Sequence, residues 1–439
     1  MLTMSEKVTV SLQTLGCKLN QAESEKISQQ LEEAGFAITQ GGKADIFILN
    51  TCTVTQGADS KGRHLIRVLR KGNPKALIVV TGCYAERTVN ELNKCGADMV
   101  VGNARKMQIA ELVQGQLSNV IRESMREKPE EGRERVRSFI KIQDGCHNYC
   151  SYCIVPFVRS DVYSVDAGEV IETIKERVAD GYREVVLTGT EIGVYSSGGQ
   201  GLQQLIERIL AETEVARLHI SSLQPQEVSI PLLELWQDRR LCRHFHMALQ
   251  SGSNAMLKRM RRRYDKNMYR ESVERIRSRL PDASITADVI VGFPAESEAE
   301  FQESYEFCRD MEFAALHVFP YSPRPGTAAA SMTGQVKESV KRQRSLQMLE
   351  LAASSAERFA RKFIDQIKAV LWENEVRPCS GIYSGLTDNY IRVYAKSPTD
   401  LTNTISRARL RGPAREAGRR VLKASTRGNY GELWSEVSE

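Results

Sequence analysis

Strand-like apolar segments alternate with helix-like segments through most of this chain, and this alternation constrains the fold most strongly. In the first block, residues 5–121, the predicted strands cover 7–12, 45–50 and 76–81, and the predicted helices cover 22–35 and 58–70. Such alternation is typical of an α/β domain with a parallel sheet covered by helices. Functional residues of these sheets gather where strands end. Three cysteines lie just beyond a predicted strand: Cys17, Cys52 and Cys83.

A second block, residues 138–367, repeats the pattern and predicts a full or partial (β/α) barrel with its active site at the C-terminal strand ends. Its predicted strands include 184–188, 218–222, 245–249, 285–291 and 315–319, and its predicted helices include 167–180, 202–212 and a long amphipathic helix at 336–367. Residues 122–137, which separate the blocks, are highly charged and contain Pro and Gly. We interpret them as a linker.

The last segment, residues 368–437, changes to short alternating stretches that predict a small all-β barrel or sandwich. Basic residues concentrate there with few acids between them, which favours contact with nucleic acid. They are Arg407, Arg409, Arg411, Arg415, Arg419, Arg420, Lys423 and Arg427. Nearby Tyr383, Tyr390 and Tyr394 would suit stacking on unpaired bases, or they belong to the barrel core.

Composition indicates a cytoplasmic protein. The N-terminus lacks the apolar core of a signal peptide, and no run approaches the roughly 18–20 apolar residues that cross a bilayer. The ten cysteines are therefore not expected to pair as disulfides, so metal ligation or redox chemistry is the leading explanation for those that cluster. We expect the four that match no cluster to be buried small apolar residues: Cys95, Cys242, Cys308 and Cys379.

The tightest cluster is Cys146, Cys150 and Cys153, in a C-x3-C-x2-C pattern after the first predicted strand of the second block. Three thiolates in so short a loop can converge on one iron–sulfur cluster and leave its fourth iron open to a cofactor. A zinc site that also used His147 is the alternative, although adjacent Cys and His seldom point to one metal. Around Cys17, Cys52 and Cys83, polar, turn-rich flanks favour a second shared metal or cluster over a structural core.

The C-x3-C-x2-C pattern, with Tyr152 before its last cysteine, resembles the radical S-adenosylmethionine superfamily. With both cysteine triads present, nearly the whole chain is similar to the methylthiotransferases, which join an N-terminal cluster domain, a radical barrel and a C-terminal TRAM domain. The matching segments are 14–25, 50–55, 79–86, 145–159, 220–225, 249–253 and 287–296. The resemblance implies S-adenosylmethionine and two [4Fe-4S] clusters, the second held by Cys17, Cys52 and Cys83.

The same resemblance implies cofactor contacts at strand ends. Glu191 is a partner for the ammonium group of S-adenosylmethionine. The full set of implied cofactor-binding residues is Tyr152, Gly189, Glu191, Ser222, Gln250 and Asp288. After Arg159 the chain departs from the family, which commonly continues with Arg-Gly and further arginines; here Ser160 and Asp161 follow.

Members of this family differ in substrate. The segment Lys18-Leu19-Asn20 is most similar to the branch that acts on threonylcarbamoyladenosine in tRNA, whereas the isopentenyladenosine branch usually has Gln-Met-Asn there and the ribosomal-protein aspartate branch Pro-Lys-Asn. We therefore expect methylthiolation of carbon 2 of that adenine beside the anticodon, by a monomer that receives electrons from an unidentified low-potential donor. The alternatives are the other two substrates and, outside the family, a zinc-dependent RNA-binding protein.

Overall fold

A five-stranded parallel sheet forms the N-terminal region of the computed structural model, which describes residues 8–40, 42–117, 136–413 and 432–437. The spatial strand order is β2-β1-β3-β4-β5. The strands are β1 Thr9–Thr14, β2 Ala37–Thr39, β3 Ile46–Thr51, β4 Leu77–Gly82 and β5 Met99–Val101, and the helices are α1 Lys18–Glu33, α2 Gln56–Gly72, α3 Cys83–Arg87, α4 Val89–Cys95 and α5 Ile109–Leu117. The three predicted strands and two predicted helices of this block are confirmed. Strands β2 and β5 were not predicted, because three residues are too few to show a period.

The central region is a partial (β/α) barrel, as predicted. Its short and long strands are β6 Arg137–Lys141, β7 Gln143–Asp144, β8 Tyr163–Ser164, β9 Glu184–Thr188, β10 Ser196–Ser197, β11 Gln200–Gly201, β12 Arg217–Ile220, β13 Ser222–Leu223, β14 His244–Met247, β15 Ser284–Val291 and β16 Ala315–Pro320. The barrel strands are parallel and follow chain order, β6-β9-β12 in one sheet and β13-β14-β15-β16 in the next. Strands β6 and β16 are therefore the two free edges of an open barrel.

Eight helices accompany these strands: α6 Val155–Val158, α7 Ala167–Ala179, α8 Leu202–Glu212, α9 Ile230–Glu234, α10 Asn254–Arg259, α11 Lys266–Arg279, α12 Glu298–Asp310 and α13 Glu338–Arg361. Helix α13 ends earlier than predicted, since Asp365 has a φ of 66° that no helix accommodates. The linker prediction is wrong at its last residue, because Arg137 begins β6; residues 122–135 lie outside the described part of the chain. Within that part, no helix is long and apolar enough to span a membrane.

The C-terminal region is a closed five-stranded barrel, which confirms the all-β prediction. Its strands are β17 Ile367–Glu375, β18 Ile382–Thr387, β19 Arg392–Lys396, β20 Ile405–Pro413 and β21 Glu432–Val437, in the order β17-β18-β19-β21-β20. Of the predicted basic surface, Arg407 and Arg411 are exposed. The residues Arg415, Arg419, Arg420, Lys423 and Arg427 lie outside the described residues.

Of the two alternatives for the tyrosines of this barrel, the structure supports burial over base stacking, because Tyr383, Tyr390 and Tyr394 are all buried. Tyr390 instead closes the N-terminal end of the central barrel. Its ring stacks on those of His219 and His244, with centroids 4.3 and 4.6 Å away, and its hydroxyl donates to Glu184. The aromatic ring therefore forms the floor of the barrel interior.

The N-terminal region spans the gap between the two edges of the open barrel. At one edge, Glu25 of α1 accepts hydrogen bonds from the backbone N–H of Phe139, at 3.2 Å, and from the Ser138 hydroxyl, at 3.0 Å. Beyond β16, Arg324 donates to Asp59 at 2.5 Å and to Thr53 at 2.8 Å. Edge strands expose unpaired backbone groups, so these contacts both cover the edge and fix the position of the N-terminal sheet.

A buried ion cluster joins the N-terminal sheet to the barrel. Arg159 donates to Glu23 at 2.9 Å and to Asp144 at 2.8 Å, and Lys106 donates to Glu23 at 2.6 Å. Burial would raise the pKa of Glu23, yet the Lys106 and Arg159 charges bring that pKa well below its usual range. The single arginine that follows the cysteine loop thus supplies the contact between the two regions.

We predict that Arg159→Gln strongly destabilises the protein, because it leaves Glu23 and Asp144 buried with less positive charge. Loss of one partner of a buried ion pair lowers the free energy of unfolding by about 3–5 kcal/mol. Denaturant titration measures this change. The pKa of Glu23 is depressed in the folded state, so this contribution is present at neutral pH. It should shrink as the pH falls through the carboxylate range, about pH 4 and below.

The matched control is Arg361→Gln, which removes an exposed pair with Glu357 on α13. Exposed pairs contribute about 0–1 kcal/mol. Equal stability losses in the two variants would contradict the structural role of Arg159.

Candidate functional site

The loop that carries Cys146, Cys150 and Cys153 follows β7 and is fixed at both its start and its middle. Gly145 has a φ of 74°, and a Cβ there would lie 2.3 Å from the carbonyl oxygen of Asp161, so only glycine fits. Ser151 donates its N–H to Met260 at 3.1 Å and its hydroxyl to Arg259 at 2.8 Å. These two hydrogen bonds hold the loop against the C-terminal end of α10 and the residue that follows it.

Two charged side chains contact the thiols of this loop. Glu191 accepts a hydrogen bond from Cys146 Sγ at 3.3 Å, and Arg262 donates to Cys150 Sγ at 3.2 Å. Burial, reinforced by the Glu191 carboxylate, raises the pKa of Cys146 to about 12. Burial and the neighbouring Cys150 raise the pKa of Cys153 to about 11.

The second triad lies at the C-terminal ends of three adjacent strands, β1, β3 and β4. Cys17 precedes α1, Cys52 follows β3 and Cys83 begins α3. A Cβ on Gly16 would lie 2.8 Å from the Cβ of Cys52, so two of the three loops are in direct contact. The sheet therefore brings together three cysteines that are far apart in the sequence, 35 positions from the first to the second and 31 from the second to the third. This grouping is the one that the sequence predicted.

Each triad fits an iron–sulfur cluster. Burial, with contributions from Cys17 and Cys83, raises the pKa of Cys52 to about 12. Burial and Cys83 also raise the pKa of Cys17. Neighbouring buried thiols oppose one another's ionisation, whereas a positively charged metal centre reverses that effect and takes them as thiolates. Three of the six cysteines are buried, two are half-buried and Cys17 is exposed, and one arginine donates to a thiol of each triad. Each triad thus offers three thiols with a nearby positive charge that offsets thiolate ligands, which suits a cluster held by three cysteines.

The two triads face one another across the contact between the regions. Cys83 packs with Ile154 and Val158, which follow the first cysteine loop. The charge of Cys83 also contributes to the raised pKa of Cys153. Arg159 lies between them, where its Nε donates to Cys83 Sγ at 3.2 Å. The two triads therefore lie at one contact between the N-terminal region and the central barrel.

The six residues predicted to contact a cofactor occupy different environments. Glu191 lies beside Cys146, and Gly189 leaves no room for a side chain because a Cβ would lie 2.7 Å from the Gln143 carbonyl oxygen.

Tyr152 packs against a cluster that includes Met256 and Phe293, and burial raises its pKa well above the ordinary value. Ser222 is exposed where β13 begins.

Gln250 and Asp288 lie on neighbouring strands. Gln250 is buried with a φ of 67°, and its N–H donates to the carbonyl oxygen of Asp288 at 2.8 Å. The Asp288 carboxylate is bonded to His246 at 3.2 Å. Burial would raise the pKa of Asp288, but the positive field of His246 and its neighbours lowers it overall.

Sequence reasoning missed three polar residues of this site. Arg262 donates to Gln224 at 3.1 Å as well as to Cys150, and Gln224 donates to Glu191. Gln143 accepts from the Glu191 N–H at 2.7 Å. Only Gln224 lies in a segment that resembles the family, and Arg262 is one of several basic residues in a row, so nothing in the sequence distinguished it.

Three of the four remaining cysteines, Cys95, Cys242 and Cys308, are buried as predicted. The prediction is wrong for Cys379, which is exposed. Its φ of 62° belongs to the turn between β17 and β18, and a turn at the surface offers no core for a thiol.

An exposed aromatic group adjoins the first cysteine loop. The rings of His147 and Tyr149 are nearly parallel with centroids 6.2 Å apart, and Phe157 meets Tyr149 edge-on at 6.2 Å. Tyr149 is 49% exposed and Phe157 is 54% exposed. Together with Arg261 they border an open cleft of about 540 Å³ that reaches Cys150. Exposed aromatic surface of this kind commonly marks a binding site.

Comparison with protein families gives two matches. Residues 9–102 match the model described as "Uncharacterized protein family UPF0004", and residues 140–308 match the Radical SAM superfamily. The second match implies S-adenosylmethionine and a [4Fe-4S] cluster. The fold is similar to that of the radical S-adenosylmethionine methyltransferase TsrM from Kitasatospora setae, with a TM-score of 0.55 at 13% identity over 74% of this chain and 77% of that one.

Curated relatives cover nearly the whole chain. The threonylcarbamoyladenosine tRNA methylthiotransferase MtaB of Bacillus subtilis is 35% identical over 92% of this chain and 93% of its own length. MtaB of Thermotoga maritima is 36% identical over 88% and 90%. The tRNA-2-methylthio-N(6)-dimethylallyladenosine synthase of Thermodesulfovibrio yellowstonii is 31% identical over 88% and 93%. With both cysteine triads at one contact between two regions and relatives of this identity along its length, the chain belongs to the methylthiotransferase family of radical S-adenosylmethionine enzymes.

Proposed function

We propose that this enzyme attaches a methylthio group to carbon 2 of N6-threonylcarbamoyladenosine, next to the anticodon of tRNA. The observation that carries the proposal is the pair of cysteine triads that lie at one contact between the N-terminal region and the central barrel. The names of the MtaB relatives support the substrate. Carbon 2 of adenine carries an unactivated C–H bond, which no side-chain acid or base can usefully ionise.

In this proposal the chain binds two [4Fe-4S] clusters and two molecules of S-adenosylmethionine. When bound, these groups supply the radical that removes the hydrogen and the methylthio group that replaces it. Cys146, Cys150 and Cys153 ligate the cluster that is open to S-adenosylmethionine, and Cys17, Cys52 and Cys83 ligate the other. An unidentified low-potential donor provides the electrons.

The residues around the first triad orient the cofactor. Glu191, already beside Cys146, accepts the ammonium group of the methionine moiety, and Gly189, packed closely against Gln143, positions the loop that carries Glu191. Arg262 offsets the negative charge of the thiolates through Cys150. Tyr152, Ser222, Gln250 and Asp288 complete the cofactor contacts.

The substrate in this proposal is the anticodon stem-loop. Enzymes that modify a base turn it out of its stack, and neighbouring unpaired bases then need a surface to stack on. The exposed aromatic group of His147, Tyr149 and Phe157, beside the first cysteine loop, suits that role, in place of the buried tyrosines of the C-terminal barrel. Basic residues of the C-terminal barrel add salt-dependent affinity for the phosphates.

A second candidate substrate is isopentenyladenosine in tRNA. Relatives named as tRNA-2-methylthio-N(6)-dimethylallyladenosine synthase are 30–35% identical over 79–93% of this chain. Both substrates are adenines modified at N6, so the same pair of cysteine triads would serve either.

We predict that Cys150→Ala and Cys52→Ala separate the two halves of the reaction. Cys150→Ala should abolish cleavage of S-adenosylmethionine, measured as 5′-deoxyadenosine released. Cys52→Ala should retain cleavage and lose methylthio transfer. The control is Cys379→Ala, since Cys379 is exposed in a turn of the C-terminal barrel, and both activities should survive there. Full transfer by either cluster variant would refute the role assigned to that cysteine.

We predict about eight iron atoms per chain in protein purified without oxygen, since each [4Fe-4S] cluster contributes four. Each of the two cysteine variants should then contain about four. Elemental analysis checks this, and stoichiometric zinc without iron would contradict radical chemistry altogether.

The substrate assignment predicts that tRNA from a strain lacking this gene loses the methylthio form of threonylcarbamoyladenosine and accumulates the unmethylthiolated base. Mass spectrometry of tRNA nucleosides measures both. Loss of the methylthio form of isopentenyladenosine instead would favour the second candidate.

A further inference from the structure

The cleft beside the first cysteine loop has three walls that are bonded to one another. One wall is the loop itself, the second is the segment that follows α10, and the third is a short 3₁₀ turn, Ala328–Ser331, that comes after β16. Ser151 joins the first two walls through the bonds to Arg259 and Met260 described above. Its carbonyl oxygen also accepts from the Ala329 N–H at 2.7 Å. None of these bonds uses a cysteine side chain, so the protein backbone alone fixes the shape of the cleft.

The size and lining of this cleft are those of a pocket for one small molecule. Its volume of about 540 Å³ lies within the roughly 300–1,000 Å³ that is usual for such pockets. Its apolar surface comes from Tyr149, Phe157 and two alanines of the 3₁₀ turn, and its hydroxyl groups include that of Thr327. Among its described lining residues, the one charged side chain is Arg261. A ligand with a flat ring and a negative charge is therefore suited to it.

Arg261 occupies a backbone position that favours glycine. It has a φ of 57° and directly follows the end of α10, where its N–H donates to the Lys258 carbonyl oxygen at 3.0 Å. Residues with a side chain rarely adopt this conformation, and glycine is the usual residue at such a helix end. Tyr149, on the facing wall, is also left-handed, with a φ of 47°. Strained residues of this kind tend to gather at functional sites.

No contact within the protein explains why an arginine stands at this position. The Arg261 side chain is exposed and makes no hydrogen bond or ion pair with any of the described residues. The arginines on either side differ from it: Arg259 pairs with Glu300, and Arg262 donates to Cys150. Because the strain at Arg261 has no internal compensation, a partner outside the chain is the remaining physical reason for its guanidinium.

A nucleotide suits this combination of groups better than a protein does. Unpaired bases stack on exposed rings such as those of Tyr149 and Phe157, and a guanidinium binds a phosphate through two parallel N–H groups. A protein partner usually covers about 800 Å² of each surface, whereas the rings and the charge here line a concavity of small-molecule size. In the proposed function the anticodon loop lies beside the first cysteine loop, which brings its nucleotides to this cleft.

We infer that the cleft binds one unpaired nucleotide that neighbours the modified adenosine, with its base on Phe157 and Tyr149 and its phosphate on Arg261. The inference rests on the proposed function and deepens it, since it names the part of the RNA that the cleft holds. A neighbour held there cannot stack on the modified base, so that base leaves the stack more easily. Stacking and phosphate contacts do not distinguish one base from another, so the cleft selects an open loop rather than a sequence.

The first test measures stability and RNA affinity together in Arg261→Asn. Asparagine tolerates the left-handed conformation and has no charge, so the holoenzyme should keep or raise its denaturation midpoint. Its Kd for an anticodon stem-loop with threonylcarbamoyladenosine should rise roughly tenfold. The slope of log Kd against log salt concentration should fall by about 0.7, as expected for one phosphate contact on a single strand. An unchanged Kd and slope overturn the inference.

The second test removes the ring in Phe157→Ala. The Kd for the same stem-loop should rise roughly 5- to 100-fold, while the salt slope stays as in the wild type because stacking involves no phosphate. Phe157→Tyr keeps a ring and should restore the affinity. A duplex of the same stem, which has no unpaired loop, should bind the wild type and Phe157→Ala equally. An equal loss of affinity for loop and duplex contradicts a site for an unpaired base.

Two control variants match these changes elsewhere on the surface. Arg309→Gln removes an exposed arginine near the end of α12, and Leu346→Ala removes an exposed apolar side chain of α13. Both should bind the stem-loop as the wild type does, with the same salt slope. Losses as large as those of Arg261→Asn and Phe157→Ala would mean that general surface charge and apolarity, and not the cleft, determine the affinity.

The remaining outcomes separate the cleft from the reaction. If Arg261→Asn and Phe157→Ala bind RNA normally but slow reduction of the holoenzyme by reduced flavodoxin and not by dithionite, the cleft belongs to the electron donor and the inference fails. If the wild type makes no methylthio product but both variants weaken RNA binding as stated, the nucleotide site stands and the reaction is wrong. If the wild type makes product and both variants bind RNA normally, the reaction stands and the site is wrong.

Discussion

The charge-assisted contacts of Arg159 with Glu23, Asp144 and Cys83 are the interaction on which the rest of the structure depends. Arg159 follows the first cysteine loop, whereas Glu23 and Cys83 belong to the N-terminal sheet, so one guanidinium sets the distance between the two triads. Its planar geometry allows several hydrogen bonds at once, which an ammonium group could not reproduce. Each of these charges has lost water on burial, so any one of them without its partners would destabilise the fold. With every partner present, the buried cluster is stable.

Around this contact, the N-terminal sheet and the C-terminal barrel enclose the interior of the central barrel. The central barrel is open on one side because its edge strands β6 and β16 lie in different sheets, and the N-terminal sheet spans that opening through Glu25 at one edge and Asp59 at the other. Tyr390 of the C-terminal barrel forms the floor. Exclusion of water strengthens electrostatic interactions in such a space and protects reactive intermediates. The C-terminal barrel therefore has a structural task in addition to any contact with RNA.

The comparison of sequence with structure shows where each kind of reasoning works. Strand and helix positions followed from apolar periodicity, and the grouping of Cys17, Cys52 and Cys83 followed from the rule that parallel strands end at one edge. The sequence left the tyrosines between core and surface because alternation does not tell which face of a strand meets another region; Tyr390 is buried against the central barrel. Arg262 was missed as a site residue because a single basic residue carries no pattern.

The sequence by itself determined the class of chemistry: the spacing of Cys146, Cys150 and Cys153 matches the radical S-adenosylmethionine superfamily, and a second cysteine triad at strand ends predicts a second centre. The spacing of cysteines is local in the sequence, and the meeting of strand ends follows from strand order. Both can therefore be recognised from residue spacing and from the periodicity of apolar positions. Only the tertiary structure decided which charges surround the two triads, with Arg159, Glu191 and Arg262 beside their thiols. These positions depend on how separate regions pack, and packing is a property of surfaces that meet only in the folded chain.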